Sequence, residues 1–414
     1  MNNAYWRLLA HRPSFRYLWL AQVVSLLGDW FNTIATIVLV NRYSGSGLAV
    51  SALFLARGLP PFLMGPLVGV VADRFNRKVI MIVSDLLRMV IVLGLLLVNS
   101  SDRLWLLYVL TTLQFMASAF FEPARAAILP SIVDRGTELL TANTLSSATW
   151  SAVLAFGAAI GGITAAQFGV GIALVIDALT FLLSAFLIAR IADSGRVLRE
   201  GAKSSGWMDM VDGFRYVMQR PRVGVFVLVK GLAQIGSVDT MFALYAGSIF
   251  VVGRDGAITL GILYTMFGIG AVIGPVVGNS LSDGSQLALR RWVWIGFLLS
   301  MLGWLGYGVS PVLILAASSI LVRGMGGSIN WTYSNVLLQL NVPDRYLGRV
   351  FALDFSVFTL CYALSVFATG LFTDTLRVDP RLLAAWFGVA SVVPVMFWKW
   401  VLRWQAKPTS ASTD

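Results

Sequence analysis

The sequence predicts an all-α membrane protein, with twelve transmembrane helices in two pseudo-symmetric halves of six. Three observations carry that expectation. The 414 residues are 57% hydrophobic and only 12% charged, about half the charge of an ordinary soluble domain. Apolar runs of about 20 residues, long enough to cross a bilayer as helices, recur along the whole chain. Two short stretches also return at nearly one interval. Gly65-Pro66-Leu67-Val68-Gly69 reappears 209 residues on as Gly274-Pro275-Val276-Val277-Gly278, and Asp134-Arg135 reappears 210 residues on as Asp344-Arg345.

The first six runs are 18–40, 50–72, 79–98, 104–121, 145–166 and 169–191; the second six are 223–251, 257–281, 292–309, 312–331, 350–372 and 382–402. The fourth is expected to break at Pro123, because proline removes a helix donor. The longest polar stretch, 192–222, divides the chain nearly in half. Within it, 207–218 spaces Met208, Val211, Phe214, Tyr216 and Val217 like an amphipathic helix on the inner membrane surface. The expected organisation is an N-terminal half (1–191), a linker (192–222), a C-terminal half (223–403) and a flexible tail (404–414). Nothing before Phe15 resembles a cleaved signal peptide.

Cations set the orientation. With both termini inside, the inner loops carry Arg7, Arg12, Arg16, Arg74, Arg77, Lys78, Arg135, the cluster from Arg190 to Arg222, Arg290, Arg291, Arg345, Arg349, Lys399, Arg403 and Lys407. The outer loops carry only Arg42, Arg103, Arg254, Arg377 and Arg381. The positive-inside rule therefore places both termini in the cytoplasm.

Other classes fall away. A net charge of +11 invites nucleic acid, but the cations sit singly between apolar runs and form no basic patch with interleaved aromatics. The lone Cys361 and lone His11 leave no disulfide framework, no metal site and no nucleophile–base pair for an enzyme. No Gly-x-x-x-x-Gly-Lys loop exists for direct ATP drive, and no soluble domain would carry a signal onward from a membrane sensor.

The connection between the second and third runs, Gly69-Val70-Val71-Ala72-Asp73-Arg74-Phe75-Asn76-Arg77-Lys78, resembles the loop between helices 2 and 3 of the major facilitator superfamily. Asn76 stands where that family has glycine, and Asn also visits positive φ. The resemblance implies a gating loop of Gly69, Asp73, Arg74, Arg77 and Lys78, its cations tied to acidic groups and phosphates. In the fifth run, Gly157, Gly161 and Gly162 are small residues that let helices approach. They resemble the family's antiporter motif, with Ala158 in place of its proline. The family's helix-4 arginine is absent. Leu27-Gly28-Asp29, Glu122-Pro123-Ala124-Arg125 and Ile176-Asp177-Ala178 are similar to segments of bacterial macrolide and siderophore exporters.

Charges inside apolar runs are default site candidates, since each costs several kcal/mol unless it meets a cavity or a partner. Asp29, midway along the first run, leads them, because a carboxylate held in low dielectric can take up and return a proton near physiological pH. The competing reading is a permanent pair with Arg57. Asp239 stands 210 residues from Asp29, matching the repeat, and Arg323 is placed to neutralise either. Lys230 is placed to snorkel, Asp85 and Arg88 to pair across one helical turn, and Glu122 to pair with Arg125. Asp177 is expected on a peripheral helix. The cavity is expected to be lined by Trp30, Asn32, Tyr245, Asn330 and Trp331, suiting bulky amphipathic molecules rather than sugars.

The resemblance implies a monomeric secondary transporter of the bacterial inner membrane. It would export hydrophobic or amphipathic small molecules by proton antiport and alternating access, with no cofactor beyond the proton gradient. The alternative is a lysophospholipid or other lipid transporter of the same fold, using Arg57 or Arg323 for the phosphate.

Overall fold

A computed structural model describes residues 4–134, 137–192 and 214–405. The amphipathic stretch expected over 207–218 therefore lies largely outside the described residues, as do Arg135, most of the linker and the tail. The side chains of Asp73, Arg74, Asp344 and Arg345 lie outside them too.

The described residues are mostly helical, with short connections and no strand among them. The chain runs α1 (Ala4–His11), α2 (Pro13–Tyr43), α3 (Gly47–Arg74), α4 (Arg77–Gly94), α5 (Leu104–Ser118), α6 (Phe121–Ile132), α7 (Thr137–Phe168) and α8 (Val170–Ala189). It continues with α9 (Pro221–Leu232), α10 (Val238–Leu244), α11 (Ala257–Leu281), α12 (Gln286–Gly308), α13 (Leu313–Asn341), α14 (Asp344–Asp374), α15 (Pro380–Ala390) and α16 (Val392–Gln405). Local chemistry sets the starts. Proline opens α2, α9 and α15, where its missing N–H loses nothing. Ser46, Asn76 and Ser285 accept backbone N–H bonds at the heads of α3, α4 and α12.

Ten segments are long and apolar enough to cross a membrane among the described residues. They cover the expected runs except the seventh and ninth. The seventh is interrupted between α9 and α10; the ninth is α12, whose first turns carry Gln286, Arg290 and Arg291. The fourth run is two helices, α5 and α6. Pro123 lies in the first turn of α6, where its missing donor is tolerated, and the interruption falls just before it, at 119–120.

The chain gathers into two compact units. The first is 1–202 together with 242–265; the second is 203–241 together with 266–414. In the first, α2 packs along α7 and α8, α4 on α8, and α3 on α5. Its buried base includes Phe15, Leu18, Met81, Phe121 and Leu129. The stretch 242–265 is bound into this unit by Asn41, which donates to the Ala243 carbonyl at 2.9 Å, and by the Arg42–Asp255 ion pair. In the second, α12 packs on α13 and α15, and α9 on α13 and α14, over a core containing Phe226, Phe297, Leu337 and Trp398. Of the linker's expected apolar face, Tyr216 and Val217 are buried in this core, with Tyr216 stacked on Tyr346 at 4.4 Å.

Candidate functional site

The first unit contains a cavity of about 470 Å³. Each wall is one face of a helix. From α2 come Gln22, Ser25, Leu26 and Asp29; from the α5–α6 joint come Ser118, Phe121, Glu122 and Arg125; from α7 come Asn143, Ser146 and Trp150. The first two sets follow the i, i+3, i+4, i+7 spacing that keeps side chains on one helical face. Arg88 of α4 completes the lining.

Asp29 is half-buried on this wall, within electrostatic reach of Arg88, Arg57 and Glu122. Arg57 donates to Asn32 Oδ1 at 3.4 Å, Thr36 Oγ1 at 3.3 Å and Thr33 Oγ1, with its guanidinium 4.7 Å from the Phe115 ring centre. Asn32 in turn donates to Gln114 at 3.3 Å. Glu122 is exposed and accepts from Arg125 Nε at 2.9 Å, and Arg125 also reaches Gln22.

Beside the cavity, Asp85 and Arg88 form a buried ion pair one turn apart on α4. Ser184 of α8 donates to the second Asp85 oxygen at 2.6 Å. The Arg88 guanidinium lies between the rings of Phe121 and Phe181, at 4.8 and 4.3 Å. Asp177 lies on α8, which gives no side chain to the cavity wall but runs along α2, and there Asp177 is wholly buried. Gly28 is the physical reason. A Cβ at that position would stand 2.6 Å from Asp177 Oδ1 and would also strike Thr180, so only a bare backbone admits both side chains.

In the second unit, the carbonyl-rich interruption between α9 and α10 is closed by two donors. Gly236 turns the chain with φ of +77°, a conformation glycine adopts without strain. Arg323 donates to the Ala233 carbonyl at 2.9 Å and Trp304 Nε1 to the Ile235 carbonyl at 2.9 Å. The Arg323 guanidinium is thus engaged by a freed helix-end carbonyl, not by a carboxylate. Asp239, in the first turn of α10, accepts from the Tyr362 hydroxyl at 3.2 Å. Lys230 does not snorkel. It is buried in an ion pair with Asp354, donates to Asn335 at 2.7 Å and stands 4.5 Å from the Trp331 ring centre.

The whole arrangement is matched by one family profile, described as a transmembrane secretion effector, over residues 6–413. The chain belongs to this family of major facilitator transporters. Among its relatives, the putative bacilysin exporter BacE of Bacillus subtilis is 25% identical, covering 85% of this chain and 87% of its own. Macrolide efflux protein A of Streptococcus pyogenes is 23% identical, covering 88% and 90%. The crystal structure of nucleoside transporter NupG is similar in fold, with a TM-score of 0.71 at 12% identity, covering 94% of this chain and 99% of that one. The protein is a membrane transporter and not an enzyme.

In this major facilitator protein the loop residues are placed as follows. Gly69 lies within α3. Asn76 has φ of −63° and accepts from the Lys78 N–H at 2.9 Å, so it serves as an N-cap and not as a positive-φ turn residue. Arg77 donates to the Ala127 carbonyl and Lys78 to the Ile191 carbonyl, each at 2.7 Å; both cations hold helix-end or helix-bend carbonyls. Gly157 and Gly161 both face Trp30, and Gly162 faces Ala257 and Gly261.

Of the expected lining residues, Trp30 packs edge-on against Tyr264 at 5.0 Å, Tyr245 is fully buried, and Asn330 is buried in the second unit, where a Cβ on Gly296 would run into its side chain. The polar cavity residues absent from the sequence reading are Gln22, Ser25, Ser118, Asn143 and Ser146, and Arg88 enters it only as the partner of Asp85. Their signal was present as small polar side chains recurring at helical spacing inside apolar runs.

Proposed function

We propose that this transporter exports hydrophobic or amphipathic small molecules by proton antiport. Asp29 carries the reading: it is a carboxylate in a membrane-crossing helix, on the wall of a cavity that two cations flank and that Trp150 and Phe121 make partly apolar. An acid so placed exchanges a proton with the cavity at low cost when its counter-charges can rearrange. The names of BacE and macrolide efflux protein A support export as the direction. The cation bias supports an orientation with both termini cytoplasmic, in a bacterial inner membrane.

Transport would proceed by alternating access of the halves 1–191 and 223–403, monomeric and driven by the proton gradient without a cofactor. Asp73, Arg74, Arg77 and Lys78 would latch the inner side, and the contact of Gly162 with Ala257 and Gly261 would seal the other.

The test is transport in proteoliposomes under an imposed pH gradient, with a lipophilic cationic dye and a fluorescent lysolipid side by side. Dye movement that requires the gradient and is lost in Asp29→Asn supports the reading. Lysolipid movement indifferent to both would replace it with lipid transport.

A further inference from the structure

We propose that Asp177 is a proton-binding site, seated against Gly28 of α2 and outside the cavity wall. Asp177 is fully buried, and neither of its carboxyl oxygens has a hydrogen-bond partner among the described residues. The Asn32 amide faces it without closing a bond. An ionised carboxylate left bare in such a place is strongly disfavoured, and a neutral acid far less so.

The surroundings say which acid keeps the proton. From α2, Asp29 presents its charge to Asp177; from α4 and α3, Arg88 and Arg57 act in the opposite sense, and Arg88 is itself paired with Asp85. The α7 helix carries a single charge, Glu138, in its first turn. Arg88 and Arg57 both act on Asp29, and Asp85 takes its own hydrogen bonds from Arg88 and Ser184. Negative charge therefore rests best on Asp29, and the proton on Asp177. Carboxyls whose charges act on each other titrate as a pair.

Gly28 makes this geometry, because any side chain there would displace the Asp177 carboxyl. The role in transport rests on the proton-antiport reading; the protonated state of Asp177 does not.

Infrared difference spectroscopy of the whole protein in lipid nanodiscs separates the two. The expected result is a carboxyl C=O band that shifts in D₂O, survives in Asp29→Asn and vanishes in Asp177→Asn. If Asp177→Asn does not fold, Gly28→Ala serves instead, and its Cβ must shift the frequency of that band. A band unchanged in Asp177→Asn, or in Gly28→Ala where that variant stands in, would overturn the proposal by showing Asp177 ionised. Loss of the band on adding Na⁺ would likewise overturn it in favour of a cation site. A band that behaves as expected in a protein whose dye transport ignores the pH gradient would sink antiport and leave the proton site standing.

Discussion

Lys230 of α9 and Asp354 of α14 form an ion pair enclosed within the second unit, both side chains almost without solvent exposure. Such a pair adds little net stability, because its attraction mostly offsets desolvation, but halving it strands a charge. Lys230→Met is expected to destabilise the protein by about 3–5 kcal/mol. The double variant Lys230→Met/Asp354→Leu should recover most of that loss. Thermal unfolding of the four corners of this cycle measures it, and additive losses would mean the two residues act separately.

The Arg323 and Trp304 bonds close one interruption in the seventh run. Removing either leaves a part-buried carbonyl without its donor, which costs at most about 1–3 kcal/mol. Arg323→Met and Trp304→Phe should each speed amide hydrogen exchange over 230–240 while leaving the α12–α13 contact protected. If only Trp304→Phe did so, Arg323 would not be closing the break.

Much of the fold was legible because a bilayer enforces it. Apolar length, cation bias and a repeated Gly-Pro-x-x-Gly stretch are one-dimensional signals, and ten of the twelve expected runs are helices fit to cross a membrane. The site was less legible. Asp29 announces itself as a lone charge in an apolar run, but the burial of Asp177 depends on which helix lies opposite, and Gly28 reveals that only in three dimensions. Arg323 looks like a counter-ion in sequence because charge is visible there, whereas the freed Ala233 carbonyl it serves is not. The cavity wall of Gln22, Ser25 and Asp29 is readable from spacing alone, since all three fall on one helical face.

At the head of α2, Arg12 pairs with Asp134 and donates to Glu138 at 3.0 Å, while Glu138 also accepts the Asp134 backbone N–H at 2.9 Å. The Asp134 N–H, then Arg12, hold the Glu138 carboxyl below its usual value. A carboxyl lowered by folding stabilises the native state above its unfolded pKa, and loses that contribution as pH falls through the folded one. The melting temperature is therefore expected to drop slightly on acidification below the ordinary glutamate range. Glu138→Gln should flatten that part of the profile, by the small amount typical of exposed pairs. An unchanged slope would remove Glu138 from the account.

The contact between α7 and the start of α11 offers the sharpest test of the proposed gate. A Cβ on Gly162 would lie 2.7 Å from the Ala257 carbonyl oxygen and 3.0 Å from Gly261 Cα, and backbone on both sides leaves nothing flexible to yield. Gly162→Val must therefore push 257–265 away from α7. Hydrogen exchange over 250–265 should rise severalfold while the cavity wall on α2 stays protected. The Arg42–Asp255 ion pair ties the same stretch to the end of α2, so Arg42→Glu should raise exchange there too, and Arg42→Glu/Asp255→Arg should restore it. If alternating access requires this contact to form and break, Gly162→Val will slow dye export far more than it lowers the melting temperature. Equal losses in both would mean that Gly162 serves packing alone.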